Sequence, residues 1–260
     1  MRIAVYNIRY GTGTGFDFHL PVPFSGYLRS TMYSSERIWT FLDRLDADIL
    51  CLVEVDNGSY RNLGRCQAAT LASRNGWEHA FACKYHKHSL LRGLPLLWSQ
   101  GNAIISRIPL KGTREHSFSK GMKRTFLEVR FDGFTILLAH LSIGSAARIQ
   151  QIRELAQHAA TIKGPLFIGG DFNTFGGKKE LAPLLENTSL RDSDAAGRPT
   201  YPSRSPKRRL DYLLASMDVM VKNFEVPNVP LSDHLPLVCD FEIPEARTPL
   251  LSADTKTRSF

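Results

Sequence analysis

The sequence is poor in cysteine, with four among 260 residues and no C-x-x-C pair. Cys51, Cys66, Cys83 and Cys239 are scattered, which argues against a disulfide scaffold and against a cysteine-based zinc site. Cys51 and Cys239 lie in apolar runs and read as small core residues. A reducing compartment, and hence a cytoplasmic location, is the expectation. No apolar run approaches the roughly 18 residues needed to span a bilayer. The opening Met1–Val5 is too short for the apolar region of a signal peptide. Internal repeats, low-complexity tracts and linkers are also missing, which points to one domain. Acidic residues are the minority charge, 25 against 33 basic ones, giving a net charge of +8 and a pI near 9.4. That balance favours an anionic partner: nucleic acid, a phosphorylated metabolite or an acidic membrane surface. No obligate protein partner is evident.

What is present is an ordinary globular composition, 43% hydrophobic and 22% charged, long enough for one large core. Short apolar runs read as strands at 2–8, 48–55 and 77–84, followed by a meander at about 102–107, 110–118, 123–131 and 133–141. Asp132-Gly133 marks a hairpin between the last two. Further strands fall at 165–171, 210–214, 219–226 and 237–241. Helical spacing predicts a helix from Ser34 or Ser35, as cap, to Leu45, and others at 59–74, 146–162 and 177–186. In the helix at 146–162, Ile149, Ile152, Leu155, Ala156 and Ala159 carry the apolar spacing. Residues 187–208 read mostly as loop. Residues 9–33, rich in glycine, proline and aromatics, read as a lid or binding loop. The apolar pattern fades after about residue 243, so 1–243 is one domain and 244–260 a flexible tail. Alternating strands and helices around a hairpin-rich middle predict two mixed sheets with helices outside.

The chemistry-bearing residues collect at strand ends: Asn7, Glu54, His140, Asp171, Asn173, Asp211 and the pair Asp233-His234. The run Gly169-Gly170-Asp171-Phe172-Asn173 is central, since an apolar strand there ends in a carboxylate and a carboxamide two residues apart. If the strand continued through them, both side chains would share one face; an Asx turn capping the strand is the plainer reading. Mg²⁺ takes hard oxygen ligands and few protein carboxylates. Glu54 is the best metal carboxylate, with Asn7 and Asp233 as further oxygen donors. Asp171, ionised at neutral pH, can take a proton from an attacking water. Asn173 can donate to a phosphate oxygen as charge builds there. His140 and His234 can donate to the other oxygens when protonated, and Asp211 is the candidate carboxylate partner of His234. Together they suit metal-assisted hydrolysis of a phosphoester, with Mg²⁺ as cofactor and Mn²⁺ as its substitute.

The segments Tyr6-Asn7-Ile8, Leu52-Val53-Glu54-Val55, Gly101-Asn102-Ala103-Ile104-Ile105-Ser106-Arg107, Ala139-His140-Leu141, Gly170-Asp171-Phe172-Asn173, Arg209-Leu210-Asp211-Tyr212-Leu213 and Ser232-Asp233-His234-Leu235-Pro236-Leu237 occur in this order. Over about residues 1–242 the chain resembles the endonuclease/exonuclease/phosphatase superfamily of DNase I-like, Mg²⁺-dependent phosphoesterases. G-D-F-N and S-D-H-x-P-L carry the resemblance best. It implies a four-layer α/β sandwich, with two mixed β-sheets face to face and helices outside. It also implies that Asn7, Glu54 and Asp233 lie at the metal. Asp171 would activate water, Asn173 and His140 would contact the phosphate, and Asp211 would orient His234. The loop at 9–33 is longer than in a minimal member of that family, and no acidic partner of His140 can be assigned from the sequence.

Substrate selection is less legible. Arg204, Lys207, Arg208 and Arg209 precede the Asp211 strand and are candidates for gripping extra phosphates. Lys120, Lys123 and Arg124 raise the same question with less force. Tyr201, Phe175 and Trp98 are candidate base-stacking rings, and His86 with His88 a candidate second metal pair. Phe16, Phe18, Leu20, Val22, Phe24 and Tyr27 would cover a substrate or dip into a lipid surface. The expected substrate is a phosphodiester in nucleic acid or a related phosphoester. The alternatives are a lipid headgroup or inositol phosphate at a membrane, and a binding module of the same fold without turnover.

Overall fold

The computed structural model describes residues 1–14, 30–83, 99–121 and 125–244. The expectations for Trp98, His86, His88, Lys123, Arg124, the aromatic residues 16–27 and the tail from 245 onward lie outside these residues.

Among the described residues, the apolar runs fold as twelve strands in two six-stranded mixed sheets. The first sheet contains β1 (Arg2–Asn7), β2 (Ile49–Asp56), β3 (Glu78–Cys83), β4 (Gln100–Ser106), β11 (Met220–Glu225) and β12 (Leu237–Glu242). Their order is β11-β12-β1-β2-β4-β3. The second contains β5 (Gly112–Ser117), β6 (Thr125–Arg130), β7 (Thr135–His140), β8 (Leu166–Asp171), β9 (Leu190–Asp192) and β10 (Asp211–Ser216), in the order β5-β6-β7-β8-β10-β9. The central strands carry uninterrupted apolar runs because both faces are covered. One face of each sheet meets the other sheet through residues such as Ile3, Val5, Cys51, Ile104, Leu138 and Leu213. The opposite face of the first sheet packs under α1 (Met32–Arg44) and α2 (Gln67–Asn75), through Ile38, Leu42, Leu71 and Ala72. That of the second packs under α3 (Ser145–Ala159) and α4 (Ala182–Glu186), through Ile152, Leu155 and Leu184. The four-layer α/β sandwich is therefore as expected.

Several boundaries differ from the sequence reading. The predicted helix at 59–74 is broken. A single 3₁₀ turn covers Tyr60–Asn62, and α2 starts only at Gln67. Leu63 (φ +52°) and Gly64 (φ +75°) are left-handed, which no helix continues through. Helix α1 begins at Met32, with Ser34 and Ser35 inside its first turn and not at its cap. The Ser34 hydroxyl bonds instead to the Gly11 carbonyl. On α3, Ile149 is 37% exposed and falls off the buried face. The stretch 187–208 is not all loop, because β9 pairs with β10 through Leu214↔Asp192 and Ala215↔Arg191.

The topology gathers one end of the sandwich. Strands β1 and β2 run parallel, as do β7 and β8, so their C-terminal ends lie side by side. Strand β10 runs antiparallel to β8 in the register Asp211↔Asp171. Strand β12 runs antiparallel to β1 with Val5↔Leu237, which brings the segment before Leu237 to the same end. Period-two alternation from the inter-sheet core then places Asn7 beyond Val5, His140 beyond Leu138 and Asp171 beyond Phe167 and Gly169, all facing inward. The two glycines before Asp171 have separate causes. A Cβ on Gly169 would sit 3.2 Å from Val5 and 3.3 Å from Leu213, against side chains of both sheets. Gly170 has φ +135°, and a Cβ there would lie 1.9 Å from the Ala139 carbonyl.

Candidate active site

Asp171 is the hub of the inward-facing group. Its Oδ2 accepts from the Asn7 side-chain amide at 3.1 Å and lies 3.2 Å from His140 Nε2 and 3.9 Å from His234 Nε2. Its Oδ1 accepts from the Asn173 backbone N–H at 3.0 Å. The strand ends at Asp171, and Asn173 follows with φ +51°. The plainer reading, an Asx turn capping the strand, therefore holds, and a strand continuing through both residues does not. Asn173 stays at the site, with its side-chain amide donating to the Leu141 carbonyl at 2.9 Å.

His140 lies between two carboxylates. Its Nδ1 is 3.8 Å from Glu54 Oε1, and its Nε2 faces Asp171. The acidic neighbour that the sequence left unassigned is thus Glu54. Glu54 reaches inward because β2 bulges there: the register against β4 shifts between Leu52 and Val55, and Glu54 takes φ +57°. A β-bulge next to a site redirects a side chain that regular alternation would send to the other face.

His234 is buried and its Nδ1 lies 2.7 Å from Asp211 Oδ2, which also accepts from the Thr200 hydroxyl at 2.6 Å. Burial opposes charge on this imidazole. The negative charges of Asp211, Asp171 and Asp233 outweigh it and push His234 up to about 10. Its second nitrogen therefore carries a proton toward Asp171 at neutral pH. Asp171, Asp211 and His234 offer ligand atoms all within 4.8 Å of one another, but these atoms are already committed to one another by hydrogen bonding and charge. Asp233 is raised above the usual carboxylate range, first by burial and then by repulsion from Glu54, with His234 and Arg9 opposing. Arg9 pairs with it, with Nε 3.5 Å from Oδ2. The side-chain oxygen of Asn7 accepts from the Arg9 backbone N–H at 3.0 Å.

Of the four basic residues expected at the rim, Arg204, Lys207 and Arg208 are exposed. Their loop reaches the site: Ser203 N–H donates to the Asp233 carbonyl at 2.7 Å, and Arg204 donates to Thr14 Oγ1 at 2.8 Å. Arg209 is not with them. It is half-buried, forks onto Asp192 at 2.6 and 2.7 Å and lies over the Tyr212 ring at 4.3 Å. The expectation that it grips substrate is corrected: an ion pair with β9, a strand the sequence reading did not place, holds it. Tyr201 packs its ring 4.9 Å from the His234 ring, while Phe175 is exposed beneath Arg208. Lys120 is exposed. Another cluster, His116, Glu128 and His158, bonds internally at 2.7 and 2.9 Å beside Phe126, on the helix-covered face of the second sheet away from this site.

One further inward-facing residue, on β4, lies beside this group. Asn102 is 1% exposed, and neither of its amide atoms has a hydrogen-bond partner among the described residues. The signal for it is a carboxamide inside the apolar run Gly101–Ser106.

Two facing mixed sheets with a carboxylate, amide and imidazole cluster at one end define a DNase I-like sandwich. The chain belongs to the endonuclease/exonuclease/phosphatase family, whose model matches residues 4–234. No curated protein matches it. Among solved structures, the fold is similar to an endonuclease/exonuclease/phosphatase from Beutenbergia cavernae, with a TM-score of 0.72 and 21% identity over 94% of this chain and 71% of that one. It is also similar to the human Nocturnin catalytic domain with bound sulfate anion, with a TM-score of 0.65 and 20% identity over 94% of each chain. A mannosyl-6-phosphatase from Bacteroides thetaiotaomicron gives 0.68 and 15% identity over 93% of this chain and 99% of that one. No described helix is long and apolar enough to cross a membrane.

Proposed function

We propose that this chain is a Mg²⁺-dependent phosphodiesterase that hydrolyses a phosphodiester of nucleic acid or a related phosphoester by in-line water attack. The observation that carries the reading is the junction at His140. It lies 3.8 Å from Glu54 of one sheet and 3.2 Å from Asp171 of the other, with His234 next to Asp171. Oxygen donors and proton-handling groups from both sheets therefore lie together at one end of the sandwich.

The donor set fits a hard divalent cation. Glu54, Asp233 and Asn7 offer oxygens only, and the repulsion between Glu54 and Asp233 is the kind a cation relieves. These three residues would hold the ion. When bound, it supplies Lewis-acid polarisation of the phosphoryl oxygen and offsets the charge that develops there.

The chain's own residues do the rest. Asp171 accepts the proton of the attacking water at a carboxylate oxygen. The hydrogen bonds from Asn7 and the Asn173 backbone fix the direction of that carboxylate. The Asn173 side-chain amide and His140 donate to non-bridging oxygens, and His234 adds a charge-assisted bond from Nε2. Asp211 turns the His234 ring and keeps it charged. Arg204, Lys207 and Arg208 flank the loop beside Asp233 and favour a substrate with further phosphates.

A bis-aryl phosphodiester tests the reading. Hydrolysis is expected with Mg²⁺ or Mn²⁺ and lost in EDTA. Equal turnover with and without divalent cation would overturn the metal dependence, and no turnover of any phosphoester in a screen of nucleic acids, sugar phosphates and inositol phosphates would overturn the reading itself.

A further inference from the structure

We infer that Asn102 contacts the substrate, donating a hydrogen bond from its side-chain amide to a non-bridging oxygen of the phosphoester beside Glu54. This deepens the hydrolase reading above and rests on it.

The placement comes from register. Strand β4 pairs with β2 through Leu52↔Ala103 and Val55↔Gly101, so Asn102 stands opposite the two bulged residues, Val53 and Glu54. Ile104, two residues on, is in the inter-sheet core, while Ala103 and Ile105 pack under the helices. Asn102 therefore faces the gap between the sheets, at the end where Glu54 and His140 meet. It lies near the N-terminal end of β4, two residues in from Gln100, at the same end of the sandwich as Asn7 on β1 and His140 on β7.

The energetics point to a missing partner. A buried carboxamide carries two N–H donors and an acceptor oxygen, and Asn102 satisfies none of them among the described residues. Leaving such a group unpaired forfeits its hydration without return, and most buried polar side chains avoid it. The next inward position, Ile104, is apolar and lies in the inter-sheet core, so an amide without partners here costs stability without structural return. A phosphoryl oxygen arriving next to Glu54 completes its bonding. The amide is neutral, so it adds no charge to repel the cation held by Glu54 and Asp233. Its donors face charge that grows as water attacks, which is where a fixed dipole stabilises most.

The test uses the full chain and two variants, Asn102→Leu and Asn102→Asp. Three readouts are taken: thermal midpoint without ligand, affinity for inorganic phosphate with Mg²⁺ by calorimetry, and kcat on a bis-aryl phosphodiester. Asn102→Leu, close in size and free of unpaired polar atoms, is expected to melt at or above the wild-type temperature. Its kcat is expected to fall about 10²-fold, the scale of losing one transition-state donor, and its phosphate affinity to fall with it. Asn102→Asp, with a negative charge against the phosphate, is expected to lose more of both. Phosphate affinity and kcat within twofold of wild type in a folded Asn102→Leu protein would overturn the inference. So would a large drop in melting temperature with kcat retained, which marks a structural amide. If Leu does not pack, Asn102→Ala removes the same donors in a smaller side chain and is read by the same criteria. A wild-type protein that hydrolyses no phosphoester would instead refute the hydrolase reading, a separate result.

Discussion

Asp171 accepts hydrogen bonds from Asn7 and Asn173 and lies beside two imidazoles. Its replacement by Asn keeps the shape and removes the carboxylate proposed as the base. Asp171→Asn is therefore expected to lower kcat by several orders of magnitude while the circular dichroism spectrum and melting temperature stay close to wild type; near-normal turnover would refute its role as base. At this scale the sequence was informative where chemistry is local. The adjacent Asp233-His234 and the Asp171-x-Asn173 spacing were legible as a cluster. The pairing of His234 with Asp211 was anticipated, since a carboxylate holds an imidazole charged. Arg209 was misread, because nothing in its neighbours Arg208 and Leu210 shows that Asp192 lies 2.6 Å away. Glu54 as the acidic neighbour of His140 was also hidden: it depends on a bulge, and alternation alone cannot place one.

At the scale of elements, the end of β8 is set by Gly170. Its φ of +135° and the 1.9 Å approach to the Ala139 carbonyl leave no room for a side chain. Gly170→Ala is expected to destabilise the protein by roughly 3 kcal/mol or more, read as a lower urea midpoint. The β9 attachment has a pH signature. Burial raises the Asp192 carboxyl, but Arg209 and Lys178 outweigh it and hold the group below the usual carboxylate range. A carboxylate with a depressed folded value adds stability above its unfolded pKa of about 3.9 and loses it as pH falls through the folded value. Asp192→Asn should thus be less stable than wild type at pH 7, with the gap closing below about pH 4. A gap that stays constant between pH 7 and pH 3 in urea titrations would show that the ion pair contributes nothing. Most strands and helices were legible because apolar period and turn residues are local signals. The broken helix at 59–74 was not, since Leu63 gives no warning of a left-handed backbone.

For the whole molecule, the charge of +8 and the exposed Arg204, Lys207 and Arg208 set the response to salt. If the substrate is a polyanion, its affinity should fall steeply with salt. Replacing each of these three residues by Gln should reduce the log–log slope by about 1, nearly uniformly across sequences. Arg209→Gln should leave that slope unchanged, because its guanidinium is committed to Asp192. A slope that ignores the three exposed residues would move the anion-binding surface elsewhere.

By itself the sequence determined the fold class and the membership of the cluster. Hydrophobic period names the strands, and residues that carry charge or amides at strand ends advertise chemistry. Only the tertiary structure decided which of these groups touch. Asn7, Glu54, His140, Asp171 and Asp211 are separated by up to about two hundred residues along the chain, and contact between them follows from parallel and antiparallel registers that no local signal encodes. The same registers leave the Asn102 amide without a partner among the described residues and draw Arg209 away from the rim. Pairing is a property of space, and the composition of a strand does not report what lies across from it.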